Sequence, residues 1–246
     1  MATKEKYSYG YAKSLNSYFK NHEQKFDKKL KPNTYYVIRF DGKGMTKAFK
    51  QVGKAIYEPF FNTMKQTFVE FCEMYGNIIF GYSYSDEISI LLKGAINPKS
   101  KSDVDDNRIE KLLSLLSGKL ALIFNRVSRL YGLDLQGKDW LFDARIIELK
   151  DQNEVTKYFI SRQAFAIDKY LGQLRGEHGL PYTLYTSTEI IKALKRKRID
   201  YYKLKSEYRY GLIYYNEIKE PFEFEQKRQK LNSYLFSCIL PKSKVS

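Results

Sequence analysis

The apolar positions of this chain change period several times, and each change marks an element. Tyr35-Tyr36-Val37-Ile38 opens an aromatic and β-branched run that continues through Phe40 and stops at Asp41-Gly42, the pattern of a strand closed by a turn. From Pro59 to Tyr75 the spacing becomes helical: Phe60, Phe61, Met64, Phe68, Phe71, Cys72 and Tyr75 fall on one stripe, closed by Gly76. Ile78-Ile79-Phe80-Gly81-Tyr82 and Ile88-Ser89-Ile90-Leu91-Leu92 then read as two strands of a hairpin with Asp86 and Glu87 at its bend. A second, longer helix is predicted from about Asp106 to Tyr131, with Ile109, Leu112, Leu113, Leu116, Leu120, Ile123, Phe124, Val127 and Tyr131 on its apolar face and Gly132 at its end. Leu141 to Ile147 reads as a further strand.

The resulting order, β-α-β-β-α-β, predicts an α+β fold with a ferredoxin-like core, the plan also found in polymerase palm domains. Residues 1–150 are expected to form this palm-like core, and residues 151–246 a mixed α/β C-terminal extension packed on it and contacting RNA. Lys93 to Asp106, poor in apolar residues, reads as an insert between hairpin and helix. No internal repeat is visible.

Two acidic positions fall at the ends of these apolar runs. Asp41 leads into Gly42 and Gly44, which permit a tight turn and close approach of a ligand to the backbone. Asp86 lies at the hairpin bend, on a strand pair that the predicted plan can place beside Asp41. Hard oxygen ligands from neighbouring strands, next to a glycine turn with free N–H groups, suit Mg²⁺ bridging to nucleotide phosphates. Successive strand residues point to opposite faces, so Glu87 is expected to orient the site or a partner chain instead of sharing the metal.

Charge extends this picture. Lys and Arg number 43 against 28 Asp and Glu, a formal net charge of +15 that favours a polyanionic partner. Lys192, Lys195, Arg196, Lys197 and Arg198 cluster near Tyr201, Tyr202, Tyr208 and Tyr210, the mixture of phosphate-binding charge and stacking surface that an RNA interface uses. Much of the aromatic content, 22 Tyr and 16 Phe, must still be core. No apolar run is long enough to span a membrane and no apolar leader opens the chain, so a membrane partner is not expected. The distant Cys72 and Cys238 predict free thiols in a reducing, cytoplasmic compartment. Zinc-ligand spacing and a Walker-type phosphate loop are absent, and of the two histidines, His178 sits among turn residues.

Six blocks, in order, carry a resemblance: Ile38-Arg39-Phe40-Asp41-Gly42-Lys43-Gly44, Pro59-Phe60, Ser85-Asp86-Glu87-Ile88-Ser89, Phe142-Asp143-Ala144-Arg145, Arg162-Gln163-Ala164 and Tyr208-Arg209-Tyr210-Gly211. Over about residues 35 to 215 the chain resembles the tRNA-His guanylyltransferase family, and most of all its guanylyltransferase-like branch, which adds nucleotides to tRNA 5′ ends in the 3′-to-5′ direction. The resemblance implies two Mg²⁺ held by Asp41, the Gly42 carbonyl and Asp86, with Glu87 completing the catalytic set. It implies GTP and ATP as substrates, with the triphosphate at Lys43-Gly44-Met45-Thr46 and Ser85 and contacted by Arg108 and Lys111, which stand three apart on the second helix. Arg39, Arg145, Arg162, Lys195, Arg196, Lys197, Arg198 and Arg209 are the expected RNA contacts, tRNA is the partner, and a homotetramer is the implied assembly.

The chain also departs from the family pattern. Glu58 stands where the family usually has Lys before Pro-Phe, and Thr46 where it has His. Phe165-Ala166-Ile167-Asp168-Lys169-Tyr170-Leu171-Gly172-Gln173 replaces the usual Asp-x-His-Ile-Asn-Asn-Leu-Tyr-Asn run, of which Leu171 alone survives. The metal ligands are thus kept while residues tied to activation and to tRNA-His have changed, which favours templated repair of 5′-truncated tRNAs over strict addition of an extra G to tRNA-His. Two other classes fit the same residues: a palm-type nucleotide cyclase, and a tRNA-binding module without catalysis.

Overall fold

The computed structural model describes residues 16–21, 28–31, 34–45, 57–75, 78–92, 108–133 and 139–236; Thr46, Cys238 and the 93–106 stretch lie outside the described residues. Strand β1 (Tyr35–Gly42) is followed by helix α1 (Tyr57–Met74), the hairpin β2 (Ile78–Tyr84) and β3 (Glu87–Leu92), helix α2 (Ile109–Leu130) and strand β4 (Phe142–Leu149). This is the expected βαββαβ order, with α2 beginning three residues later than the apolar spacing suggests. The chain continues through α3 (Gln152–Glu177), α4 (Ser187–Arg196), a 3₁₀ turn (Tyr201–Lys203), α5 (Ser206–Tyr210), strands β5 (Leu212–Tyr215) and β6 (Glu217–Lys219), and α6 (Arg228–Phe236).

All six strands form one sheet in the order β4-β1-β3-β2-β5-β6, with every neighbouring pair antiparallel. The first four positions are the ferredoxin-like arrangement, and β5 and β6, from the C-terminal segment, extend it past β2. The sheet is buried on both faces, which is why β1 and β3 read as nearly continuous apolar runs instead of alternating ones. Tyr36, Ile38 and Phe40 pack with Ile88, Ile90 and Leu92 against Met64, Phe68 and Phe71 of α1 and Leu116, Leu120 and Phe124 of α2. Val37, Leu91 and Ile213 face the other way, onto Val155 and Phe159 of α3 and Leu231 and Leu235 of α6. A third cluster joins Leu171 and Leu174 of α3 to Ile190 and Leu194 of α4 and to Tyr201.

Helix α3 has no apolar stripe comparable to those of α1 and α2, yet it runs for 26 residues. Its start is fixed locally, since the Asp151 carboxylate accepts from the Glu154 N–H at 2.8 Å. Its middle is fixed by a polar anchor: the buried Gln163 amide donates to the carbonyls of Tyr210 (3.1 Å) and Phe222 (2.9 Å) and accepts from the Phe224 N–H (2.6 Å). One side chain therefore clamps the helix to both ends of the β5–β6 segment. Gly211 serves the same junction: at φ 77° a Cβ there would lie 2.7 Å from the Ser83 carbonyl oxygen, so only glycine lets β5 enter beside β2.

Candidate active site

The hairpin between β2 and β3 turns on two residues, Ser85 and Asp86, and Ser85 takes the left-handed backbone (φ 54°) that so tight a turn demands. The turn is tied to the end of β1, because the Gly42 N–H donates to the Asp86 carbonyl at 3.0 Å. Asp86 is buried to 6% exposure, and Asp41 is half-buried next to it. The Asp41 carboxyl is raised above its ordinary pKa, first by burial and then by the charges of Asp86, Asp143 and Glu87. The structure thus brings the two expected metal-binding carboxylates together at one end of the sheet.

Register adds residues that sequence spacing does not show. Asp41 pairs with Glu87 on β3 and with Asp143 on β4, and directly opposed residues of antiparallel strands share a face. Strand alternation predicts Glu87 to face away from the acidic pair; instead Asp86 lies in the turn, outside the alternation, and Glu87 is on the face of Asp41. Glu87 is nonetheless held elsewhere. Arg162 of α3 donates its Nε to Glu87 Oε1 at 2.8 Å and an Nη to the other oxygen, so the carboxylate is clamped at both ends. Ser89, two residues on, meets the Tyr158 hydroxyl at 3.0 Å. Asp143, Tyr158 and the role of Arg162 come from pairing distant segments, and no local pattern announces them.

The Gly42–Met45 turn differs from the expected turn with free N–H groups, because strand neighbours take two of them: the Gly42 N–H goes to Asp86 and the Lys43 N–H to Leu141. Lys43 and Gly44 are exposed, Gly44 is left-handed at φ 76°, and the Lys43 N–H is taken by the Leu141 carbonyl at 2.9 Å. Met45 is fully buried with its side chain folded over Gly42, where an added Cβ would lie 2.3 Å from the sulfur. Any larger residue at 42 would have to displace the buried Met45 side chain.

A cavity of about 500 Å³ opens beside the hairpin. Its walls include Tyr57 and Phe61 of α1, Ser85, Lys169 and Tyr170 of α3, and Tyr208 of α5. The Tyr170 phenol is pushed up to about 12 by burial and by Glu177 and Tyr208, so at neutral pH it is a protonated hydrogen-bond donor. Lys169 reaches Ser85 Oγ at 3.2 Å and Asp86 Oδ1 at 3.4 Å. This lysine lies in the segment that departs from the family run, and sequence reading gave it no role.

Arg108 and Lys111, the expected triphosphate contacts, fall away from this end. Arg108 precedes the first turn of α2 and its backbone bridges Lys29, upstream of β1, while the Lys31 N–H donates to the Tyr36 hydroxyl. The opposite end of α2 is anchored by Asn125 to Trp140, two residues before Phe142, which pairs with Gly42. A 22-residue helix spans about 33 Å. Arg108 and Lys111 therefore stand at the far end of the sheet from Asp41 and Asp86 in the same chain. Among the expected RNA contacts, Lys195, Arg196, Lys197 and Arg198 are exposed at the end of α4, and Arg145 is exposed on the edge strand β4 beside Asp143. Arg39 is half-buried. Arg162 is committed to Glu87, and Arg209 to the Leu204 carbonyl, the Tyr210 hydroxyl and the face of Tyr201.

Among the described residues no three His, Cys, Asp or Glu side chains form a metal cluster. The acidic pair still suits a hard divalent cation, as its donors are carboxylate oxygens beside a backbone turn, and Asp41 is raised by burial and by the neighbouring carboxylates that a cation would neutralise. No described helix is long and apolar enough to cross a membrane.

Fold and site together define a palm-type α+β protein with a carboxylate pair at the end of its central strands. The family model described as tRNAHis guanylyltransferase matches residues 16–150, and the chain belongs to that family, whose name denotes nucleotidyl transfer to tRNA. The fold is similar to that of a bacterial tRNA(His) guanylyltransferase (Thg1)-like protein in complex with ATP (TM-score 0.78, 21% identity, 90% of this chain and 99% of the other). The same protein type in complex with GTP matches with a TM-score of 0.73 at 20% identity, covering 91% of this chain and 99% of the other. The tRNA(His) guanylyltransferase of Saccharomyces cerevisiae matches with a TM-score of 0.67 at 19% identity, covering 80% and 92%. In sequence, the chain is 28% identical over 152 residues to the uncharacterized protein R259 of Acanthamoeba polyphaga mimivirus, spanning 55% of this chain and about half (52%) of that protein's length.

Proposed function

We propose that this chain is a nucleotidyltransferase that adds nucleotides to the 5′ end of tRNA, in the 3′-to-5′ direction, from GTP or another nucleoside triphosphate. The observation that carries the reading is the convergence of Asp41 and Asp86 on the Gly42 backbone beside an aromatic-walled cavity. Asp41 and Asp86 would hold two Mg²⁺, which when bound neutralise charge on the phosphates and help to ionise the attacking hydroxyl. The exposed turn at Lys43 and Gly44 receives the triphosphate, and Tyr57, Phe61, Tyr170 and Tyr208 supply stacking and hydrogen-bonding surface for a base. ATP and GTP, the ligands named for the bacterial structures, are the nucleotides proposed here.

Phosphoryl transfer needs positioning and charge more than a side-chain nucleophile, consistent with a site rich in carboxylates and poor in histidine. The RNA 5′-monophosphate attacks the α-phosphorus of a nucleoside triphosphate and pyrophosphate leaves; the 3′-hydroxyl of the incoming nucleotide then attacks the activated 5′-phosphorus and the nucleoside monophosphate leaves, and hydrolysis removes pyrophosphate from the triphosphate at the new 5′ end. Exposed Lys195, Arg196, Lys197 and Arg198 supply sequence-independent attraction to RNA. An Arg108–Lys111 contact with the triphosphate would require a second nucleotide site or a second chain, because the two stand at the other end of the sheet.

Repair of truncated tRNAs is favoured over strict action on tRNA-His. Lys169 and Tyr170, from the segment that departs from the family run, line the cavity proposed to receive the nucleotide, which supports a changed reading of the substrate. The test is incubation with labelled GTP, Mg²⁺ and a panel of tRNAs lacking their first nucleotide. Addition to several of them, following the opposing 3′-strand base and abolished by Asp41→Asn or Asp86→Asn, is expected. Anticodon-dependent preference for tRNA-His would establish the strict activity instead.

A further inference from the structure

Lys169 stands where the two halves of the site meet. Its ammonium is 3.4 Å from Asp86 Oδ1 and 3.2 Å from Ser85 Oγ, and its side chain forms part of the cavity wall. Asp86 needs a partner: its side chain is 9% exposed, and the same oxygen also accepts from Ser85 Oγ at 3.0 Å. The lysine contact is nevertheless long for a charge-assisted bond, which closes to about 2.7–2.9 Å when optimal. The neighbouring Glu87–Arg162 pair shows the alternative, a fork bonded at both oxygens with both side chains under 20% exposed. Lys169 is 44% exposed, carries its charge on a flexible stem and is mounted on the long helix α3.

We propose that Lys169 is an exchangeable counter-ion: it neutralises Asp86 when no divalent cation is bound there and moves to a phosphate oxygen of the nucleotide when a divalent cation takes its place on the carboxylate. This rests on the reading of Asp41 and Asp86 as metal ligands. The electrostatics require the exchange, since a divalent cation on Asp86 and an ammonium on the same oxygen repel. The cavity side of Lys169 is the direction open to it, and a triphosphate entering beside the Gly42–Met45 turn brings the anionic partner it has lost. Lys169 is therefore a positioning residue that links two ligands, so that each binds better in the presence of the other.

The experiment measures Mn²⁺ binding by electron paramagnetic resonance, with Mn²⁺ as probe for the divalent site, and binding of a non-hydrolysable GTP analogue by calorimetry. Wild type is compared with Lys169→Met, which keeps the stem and removes the charge, and with Lys169→Arg. Without nucleotide, Lys169→Met should bind Mn²⁺ about threefold more tightly, since a competing cation of surface strength has gone. At saturating Mn²⁺ it should bind the analogue about tenfold more weakly, the loss of one charge-assisted contact. The mutual enhancement of the two ligands should shrink, and Lys169→Arg should recover most of the analogue affinity. Weaker analogue binding with unchanged nucleotide-free Mn²⁺ affinity would make Lys169 a plain phosphate contact and overturn the exchange. No change in either overturns it as well. Asp86→Asn separates the two levels: if it leaves Mn²⁺ binding intact, the metal assignment of the site is wrong and the exchange falls with it, whereas Mn²⁺ loss in Asp86→Asn with no effect of Lys169→Met refutes the exchange alone.

Discussion

Asp41 and Glu87 face each other across the β1–β3 ladder, yet among the described residues only Glu87 has a cation fastened to it: Arg162 bonds both of its oxygens, while Asp41 lies beside Asp86, Asp143 and Glu87 with its carboxyl raised by burial first and then by their charges. The arrangement divides the acidic cluster into a structural member and a free one. Arg162 removes Glu87 from competition and braces α3 against the sheet, and the remaining charge is left at the Asp41–Asp86 end.

Cutting that brace should cost stability without touching the ligand pair. Glu87→Gln or Arg162→Met alone should each destabilise by on the order of 2 kcal/mol, because each leaves a largely buried charge without its partner. The double variant should cost clearly less than the sum, with a coupling of roughly 1–2 kcal/mol in urea titrations. Additive losses would mean that the pair is solvent-screened and does not brace the helix.

Asp41 makes a prediction about pH. Its folded-state pKa is raised, by burial first and then by Asp86, Asp143 and Glu87, so the native protein holds this proton more tightly than the unfolded chain does. As pH rises from the ordinary carboxylate value through the raised one, that stability is lost, and above it the ionised Asp41 is a standing penalty. In metal-free protein the Asp41 contribution therefore grows as pH is lowered into the window just above the usual carboxylate range. Asp41→Asn should raise Tm at neutral pH and reduce this slope. A Tm difference between the two proteins that does not vary with pH would contradict the assignment.

Gln163 should be as important to folding as any apolar core residue. Gln163→Leu strands the Phe224 N–H and the Tyr210 and Phe222 carbonyls, and should cost about 3 kcal/mol. The loss should be accompanied by faster hydrogen exchange in β5, read by mass spectrometry, because the clamp on that strand is gone. Retention of wild-type protection there would show that packing, not the amide, holds β5.

Arg108 and Lys111 offer a test of assembly. In monomeric protein, Arg108→Ala and Lys111→Ala should leave nucleotide affinity at the Asp41–Asp86 end within about twofold, since the helix between them spans about 33 Å. They should lower the salt dependence of RNA binding if that end meets phosphates. A tenfold fall in nucleotide affinity that appears only at protein concentrations where the chain self-associates would mean that a second copy brings its α2 start to this site.

The apolar spacing of α1 and α2, the β-branched runs of β1, β2 and β3, and the acidic residues at their ends are local signals, and from them the βαββαβ core and the Asp41–Asp86 pair could be read directly. Burial of periodic apolar residues is the main driving force for these elements, and a strand buried on both faces shows it in its own composition. Helix α3 was not legible in the same way, because its middle is held by the Gln163 amide reaching three backbone groups in the segment from Tyr210 to Phe224. Nor could spacing place Asp143 opposite Asp41, commit Arg162 to Glu87, bring Lys169 to Asp86 or send Arg108 to the far end of the sheet. Those are relations between segments tens of residues apart, fixed by strand register and helix packing. The sequence determines which carboxylates are available, and the tertiary structure decides which of them is neutralised, by which cation, and which is left to bind.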